Sequence, residues 1–198
     1  MGGHGGDGDG LIAMRRAVFL DRDGVLNRTV VRDGKPRAPA TLDEFEILPG
    51  VAEALRALRA GGFLLIVSTN QPDVARGLVP RGVVEAMHRR LRQALPLDDI
   101  KACYDVDGPD SACYKPKPGM LLEAARERGV DLTRSYMVGD RWRDVGAGRA
   151  AGCFTIFIDR GYDEPLADVP DAVCADLPEA AAIILGDAGR RPLAGEGL

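Results

Sequence analysis

Along the chain, short and nearly unbroken apolar runs alternate with longer stretches of helical spacing. AVFL (17–20), FLLIVS (63–68), KACY (101–104), SYMVG (135–139), CFTIFI (153–158) and DAVCA (171–175) are the short runs, and they read as strands buried on both faces. In PGVAEALRALRAGG (49–62), Val51, Ala54, Leu55 and Leu58 share one face, with Pro at the start and Gly at the end, which predicts a helix. Residues 80–95 predict another, with Val83, Val84, Met87 and Leu91 inward. PGMLLEAARERG (118–129), the glycine-diluted RDVGAGRAAG (143–152) and LPEAAAIIL (177–185) complete the helical set. Such alternation implies an α/β fold, a doubly wound, Rossmann-like parallel sheet with helices on both faces and right-handed crossovers. The stretch from Asn27 to Leu48 carries Pro, Gly and charge instead of periodic apolar residues. It reads as a long loop, too short for a separate cap domain, so the cap is minimal and the pocket open.

The chain of 198 residues divides on this reading into a flexible tail (1–16), one domain (17–186) and a second tail (187–198). A formal net charge of −4 gives no general attraction to nucleic acid or an anionic membrane, and neither is expected as a partner. No run approaches the roughly 20 apolar residues that span a bilayer, and MGGHGGDGDG lacks the apolar centre of an export signal. Cys103, Cys113, Cys153 and Cys174 are too sparse for a disulfide scaffold, which points to a reduced cytoplasm. Monomer is the default state.

In doubly wound sheets ligands bind beyond the carboxyl ends of the strands. The polar residues at those ends are Asp21 and Asp23, Thr69 and Asn70, and Asp140, with Lys115 following the third run. Phosphoryl transfer needs a nucleophile, a proton source for the leaving oxygen and fixed positive charge. DRDG (21–24) can supply the first two, with Asp21 attacking phosphorus and Asp23, kept protonated, acting as the acid. Thr69 and Asn70 can bind phosphoryl oxygens, and Lys115, stiffened by its prolines in YKPKPG (114–119), can fix an ammonium. Asp21 and Asp140 offer hard oxygen ligands without His or Cys, which suits Mg²⁺ rather than zinc. Each residue also has a plain structural role: a strand-closing turn, a helix cap or a solvated loop lysine, the last fitting Lys117 better than Lys115. Asp144 stands between a supporting partner and an ordinary helix residue. Trp142 reads as helix packing, His88 as a surface residue, and Cys153 and Cys174 as small core residues.

DRDG (21–24), Thr69 in STNQ, Lys115 before Pro116 and GDRWRD (139–144) resemble, in order, the four motifs of the haloacid dehalogenase superfamily. FLDRDGVLN (19–27), ILPGV (47–51), TNQPDVARG (69–77), KPKPGMLLEAA (115–125), SYMVGD (135–140) and AGRAAG (147–152) are similar to its heptose bisphosphate and histidinol-phosphate phosphatase branch. That resemblance implies Asp21 as nucleophile, Asp23 as acid and base, and Thr69 and Lys115 as phosphoryl stabilisers. It implies Mg²⁺ on Asp21, the backbone oxygen of Asp23 and Asp140, and Arg141 in place of a substrate-binding lysine. The implied substrate is heptose 1,7-bisphosphate, with histidinol phosphate the nearest rival. DNA 3′-phosphatases share part of the pattern but need a basic track. A phosphorylation-dependent switch domain and a non-catalytic phosphosugar binder are the readings outside this chemistry.

Two departures from the branch stand out. Its members carry a four-ligand zinc loop, whereas the corresponding positions here are Cys103, Asp105, Ser111 and Cys113. Two soft ligands do not make a closed structural site, so zinc is not expected and the loop must be mobile or held otherwise. Tyr114 stands where the branch has a substrate-recognising Arg. Basic residues of the 28–37 loop (Arg28, Arg32, Lys35, Arg37) are the candidates to bind a remote phosphate instead.

Overall fold

A computed structural model of the chain describes residues 14–32 and 35–188. Strand β1 (Ala17–Leu20) lies at the centre of a six-stranded sheet with β4 (Leu64–Asn70), β5 (Asp99–Cys103), β6 (Tyr136–Gly139), β7 (Phe154–Ile158) and β8 (Ala172–Cys174), in the order β5-β4-β1-β6-β7-β8. Every pairing is parallel. Its helices are α1 (Val51–Ala60), the short α2 (Pro72–Ala75), α3 (Arg81–Ala94), α4 (Gly119–Arg128), α5 (Trp142–Ala151) and α6 (Leu177–Ala188). The expected α/β class and doubly wound parallel sheet are what the chain forms.

The period-two alternation of the strands separates two cores. Val18, Leu20, Leu65 and Val67 face one way, against Leu55 and Leu58 of α1, Met87 and Leu91 of α3, and Ile184 of α6. Ala17, Phe19, Leu64 and Ile66 face the other way, against Met120, Leu121 and Ala124 of α4. Truncating a side chain such as Leu55 to alanine would cost about 2–5 kcal/mol. Because the chain winds outward from β1 on both sides, the carboxyl ends of β1, β4 and β6 adjoin at one rim.

Several expectations are corrected. The stretch read as a loop contains a two-stranded antiparallel hairpin, β2 (Val30–Arg32) and β3 (Lys35–Arg37), whose residues are too polar and too few to show a strand period. Arg15 bridges Val130 and α6 runs to Ala188, so ordered structure begins before and ends after the limits read from the sequence; the rest of both expected tails lies outside the described residues. His88 is buried, because it shares the inner face of α3 with Val84, Met87 and Leu91. Val83 is only partly buried. No helix among the described residues is long and apolar enough to cross a membrane.

The 103–113 loop is not held open. Cys103 and Cys113 form a disulfide, against the reduced state expected, and the Ser111 hydroxyl lies 3.7 and 3.5 Å from their sulfurs. Lys117, expected to be solvated, donates to the carbonyls of Gly108, Pro109 and Ser111 at 2.7, 3.0 and 2.6 Å. One ammonium thus satisfies three loop carbonyls, using all its donors.

Candidate active site

Strand β1 ends at Leu20, so Asp21 emerges at the rim, its N–H bonded to Val138 O of β6 at 2.9 Å. Lys115, 2% exposed, fills its three donor positions with Asp21 Oδ1 at 2.8 Å, Ser68 O at 2.6 Å and Asp144 Oδ1 at 2.6 Å. Its place is set from β4: the Asn70 amide accepts from Lys115 N at 3.0 Å and donates to Lys115 O at 3.1 Å. Asp144 settles the choice between its two readings by serving both, since its other oxygen accepts from Arg141 N at 3.0 Å and so ties down the first turn of α5. The buried pairing with two carboxylates outweighs desolvation and raises the Lys115 pKa.

Asp140 leaves β6 beside them. Both its oxygens are buried without a partner at hydrogen-bond geometry; the nearby Tyr162 hydroxyl, 3.2 Å from Thr29, favours the ionised form without offsetting burial. Gly24, at φ +84°, lets the turn approach so closely that a Cβ there would lie 1.8 Å from Asp140 Oδ2. Carboxylate oxygens of Asp21, Asp140 and Asp144 lie within 4.8 Å of one another. Three carboxylates share the single ammonium of Lys115, so ionising all three would leave two negative charges in a buried site. Burial, then Asp144, push the Asp21 carboxyl up to about 7, and burial, then Asp21, push Asp140 up as well. Bare oxygens, hard donors and uncompensated charge all fit a divalent cation such as Mg²⁺.

Asp23 is the opposite case. It takes Arg22 Nη2 at 2.8 and 2.9 Å, Asn27 Nδ2 at 2.9 Å and Gln71 Nε2 at 2.8 Å. Burial disfavours its charge, but Arg22 and these hydrogen bonds outweigh burial and lower its pKa. The expectation that Asp23 rests protonated is therefore corrected: its surroundings favour the carboxylate. Asp21, Asp23, Asn70, Tyr114, Lys115, Asp140 and Arg141 border one cavity of about 300 Å³. Thr69 is fully buried and accepts from Gln71 Nε2 at 2.9 Å, and it does not border the cavity. Neither do Arg28 and Arg32, which pair with Glu46 and Glu44 on the hairpin side. Arg141 reaches the cavity, but Glu164 holds its guanidinium through two hydrogen bonds.

A sequence profile of the haloacid dehalogenase-like hydrolases matches residues 27–152. The chain belongs to that family. As a haloacid dehalogenase-like hydrolase it has many curated relatives. It is 34% identical over 189 residues to D-glycero-D-manno-heptose-1,7-bisphosphate 7-phosphatase of Thermosynechococcus vestitus, covering 84% of this chain and 93% of that one. It is 38% identical over 152 residues to the β-anomer-named 7-phosphatase of Pseudomonas aeruginosa, covering 74% and 83%. The D,D-heptose 1,7-bisphosphate phosphatase of B. bronchiseptica, solved with magnesium and phosphate, superposes with a TM-score of 0.72 at 32% identity, over 87% of this chain and 99% of that one. This haloacid dehalogenase-like hydrolase is a phosphatase.

Two residues of the site lie inside the DRDG and STNQ motifs but have no chemical role assigned by the sequence. Arg22 is fully buried, and its guanidinium also contacts Gln71 Oε1 at 3.2 Å and His88 Nε2 at 3.4 Å. Since arginine can only donate, that contact requires His88 to be neutral at Nε2. Burial, then the charge of Arg22, push the His88 pKa down to about 4. Gln71 bridges Asp23 and Thr69. A clue to Arg22 was present: an arginine directly after a wholly apolar strand is either exposed or paired, and its neighbours at 21 and 23 are both acids.

Proposed function

We propose that the chain removes the 7-phosphate of D-glycero-D-manno-heptose 1,7-bisphosphate, using Asp21 as nucleophile, Asp23 as acid and base, and Mg²⁺ held by Asp21, the Asp23 backbone oxygen and Asp140. One observation carries this reading: the Asp21 carboxylate, the Lys115 ammonium and the unpartnered Asp140 meet beneath a single cavity. The substrate comes from the names of relatives matched over most of their length. The magnesium assignment is supported by the fit of the donors and by the ion in the B. bronchiseptica structure.

An Asp21 oxygen attacks phosphorus as the ester P–O bond breaks, and the departing oxygen takes a proton from Asp23. Asp23 rests ionised, so it must acquire that proton before the transfer. Water then attacks the aspartyl phosphate, its proton passes to Asp23, and the bond to Asp21 breaks. Lys115 holds Asp21 in place and offsets the charge gathering there, while Asn70 holds Lys115. A bound Mg²⁺ supplies the remaining positive charge that lets an anionic carboxylate approach an anionic phosphate. Thr69 acts through Gln71 on the position of Asp23.

The test is phosphate release from both anomers of the heptose bisphosphate, histidinol phosphate and a nicked DNA 3′-phosphate. The heptose should lead; an even response across the panel would sink the substrate. Asp21→Asn should lower turnover at least about 10⁴-fold. We read the protein as a cytoplasmic monomer whose partner is a small phosphosugar, with one domain that includes residues 17–186. We also read its 103–113 loop as zinc-free, because Cys103 and Cys113 are the only soft donors of the four positions and Asp105 and Ser111 supply only oxygen. One zinc per chain by elemental analysis would overturn that reading.

A further inference from the structure

Four arginines border the cavity: Arg37, Arg76, Arg141 and Arg143. Two are engaged. Arg76 pairs with Asp73 at 3.0 Å, and Arg141 is gripped by Glu164. Arg143, the second residue of α5, differs. Its one carboxylate contact is Asp107 at 3.4 Å, and its Nε is buried with no partner. The guanidinium lies 4.5 Å from the Trp142 ring centre and 5.8 Å from that of Tyr114. The charge thus lies against the Trp142 ring and near that of Tyr114, with one long N–H contact to Asp107 and no other side-chain hydrogen bond among the described residues. Stacking favours arginine over lysine here and reduces the freedom lost when an anion binds.

We propose that Arg143, held on the Tyr114 and Trp142 rings, recognises the second phosphate of a sugar bisphosphate, with Arg37 of the hairpin as the other available cation. The inference rests on the phosphosugar reading above and adds the residue that discriminates a bisphosphate from a monophosphate. A planar guanidinium with free N–H groups matches a phosphate dianion in shape and charge. The nucleophilic end of the cavity is already crowded with carboxylates, so a second phosphate is repelled from it and favoured at the arginine end. Tyr114 then has a defined job: its phenol carries no charge, and its ring aligns the group that does. Arg37, exposed and without a carboxylate partner among the described residues, adds longer-range attraction.

The experiment compares kcat/KM for two matched pairs, heptose 1,7-bisphosphate with heptose 7-phosphate and a hexose bisphosphate with its monophosphate. The wild-type protein should favour the bisphosphate. Arg143→Ala should cut that preference by about 10–100-fold, chiefly through KM. Arg143→Lys should restore part of it, Tyr114→Leu should lose part of it with Arg143 intact, and Tyr114→Arg added to Arg143→Ala should recover it. If Arg143→Ala does not fold, Arg143→Gln decides the same question. An unchanged preference in the arginine variants, or none in the wild type for either pair, overturns the proposal. Failure on heptose with a surviving preference in the hexose pair removes only the heptose assignment.

Discussion

Asp21 and Asp23 stand two residues apart at the end of one strand, yet they inhabit opposite environments. Asp23 is saturated: Arg22, Asn27 and Gln71 satisfy its oxygens and keep it ionised. Asp21 shares its corner with Asp140 and Asp144 and too little positive charge, and its carboxyl is pushed up to about 7. The contrast shows how neighbouring groups with the same chemistry acquire different tasks. The saturated carboxylate is held in position for proton transfer. The crowded cluster is built to be completed by something positive, a cation and then a transferring phosphoryl group.

The largest test of the contrast is to relieve the crowding. Asp140→Asn removes one of three buried like charges and supplies amide donors. The metal-free variant should melt at a higher temperature than wild type, while its Mg²⁺-induced rise in Tm should vanish. Magnesium activation should weaken by more than about 100-fold, the upper end of what even indirect supporters of a ligand are worth. A metal-free Tm below wild type, with normal magnesium response, would break the charge-excess account.

Loosening the saturated side should have a smaller and more selective effect. Arg22→Lys keeps the charge but loses the fork on Asp23. Turnover of alkyl phosphates, whose leaving oxygen needs a proton, should fall by about 10²-fold, within the usual range of acid–base catalysis. Turnover of p-nitrophenyl phosphate should fall far less, because its leaving group departs as an anion. Equal losses on both would mean that Arg22 supports the fold alone. Calorimetry on the same variant separates the two, since merely weakening the fold gives no leaving-group dependence.

His88, behind Arg22, gives the smallest effect and the one with a definite pH sign. The folded protein holds it neutral down to about pH 4, while the unfolded chain binds a proton near its ordinary value of 6.5. Its contribution is therefore complete above pH 6.5 and is lost as the pH falls towards 4, by at most about 3 kcal/mol. Arg22 and Arg92 oppose protonation, while Glu85 and Asp23 favour it. His88→Gln should flatten this part of the stability profile in denaturant titrations; an unchanged slope would remove His88 from the account.

Much of this was legible in the residue pattern, for local reasons. Runs such as AVFL and FLLIVS can only be strands buried on both faces, and helices with Pro at one end and Gly at the other have little freedom of assignment. Once a parallel sheet is implied, the polar residue after each strand is placed at one rim, which singles out Asp21 and Asp140, while Lys115 stands out by its stiff proline-flanked loop. The hairpin at 30–37 was not legible, because pairing between two three-residue polar strands depends on what they pack near. Arg28 and Arg32 looked like free cations, and nothing in their spacing disclosed that Glu46 and Glu44 return to pair with them. Lys117 and the two cysteines were misread for the same reason: the partners that hold a loop closed are found only when it closes.

The order of apolar and polar residues determined the parallel sheet and the identity of the groups at its rim, since side-chain periodicity and strand ends follow from covalent geometry. Only the tertiary structure decided how charge is shared among those groups. Which carboxylate is paired, which is left bare and which arginine keeps its donors free depend on distances of a few ångströms between segments remote in sequence. Electrostatic energy in a buried site is set by those separations and by the water excluded around them, and neither is written in local order.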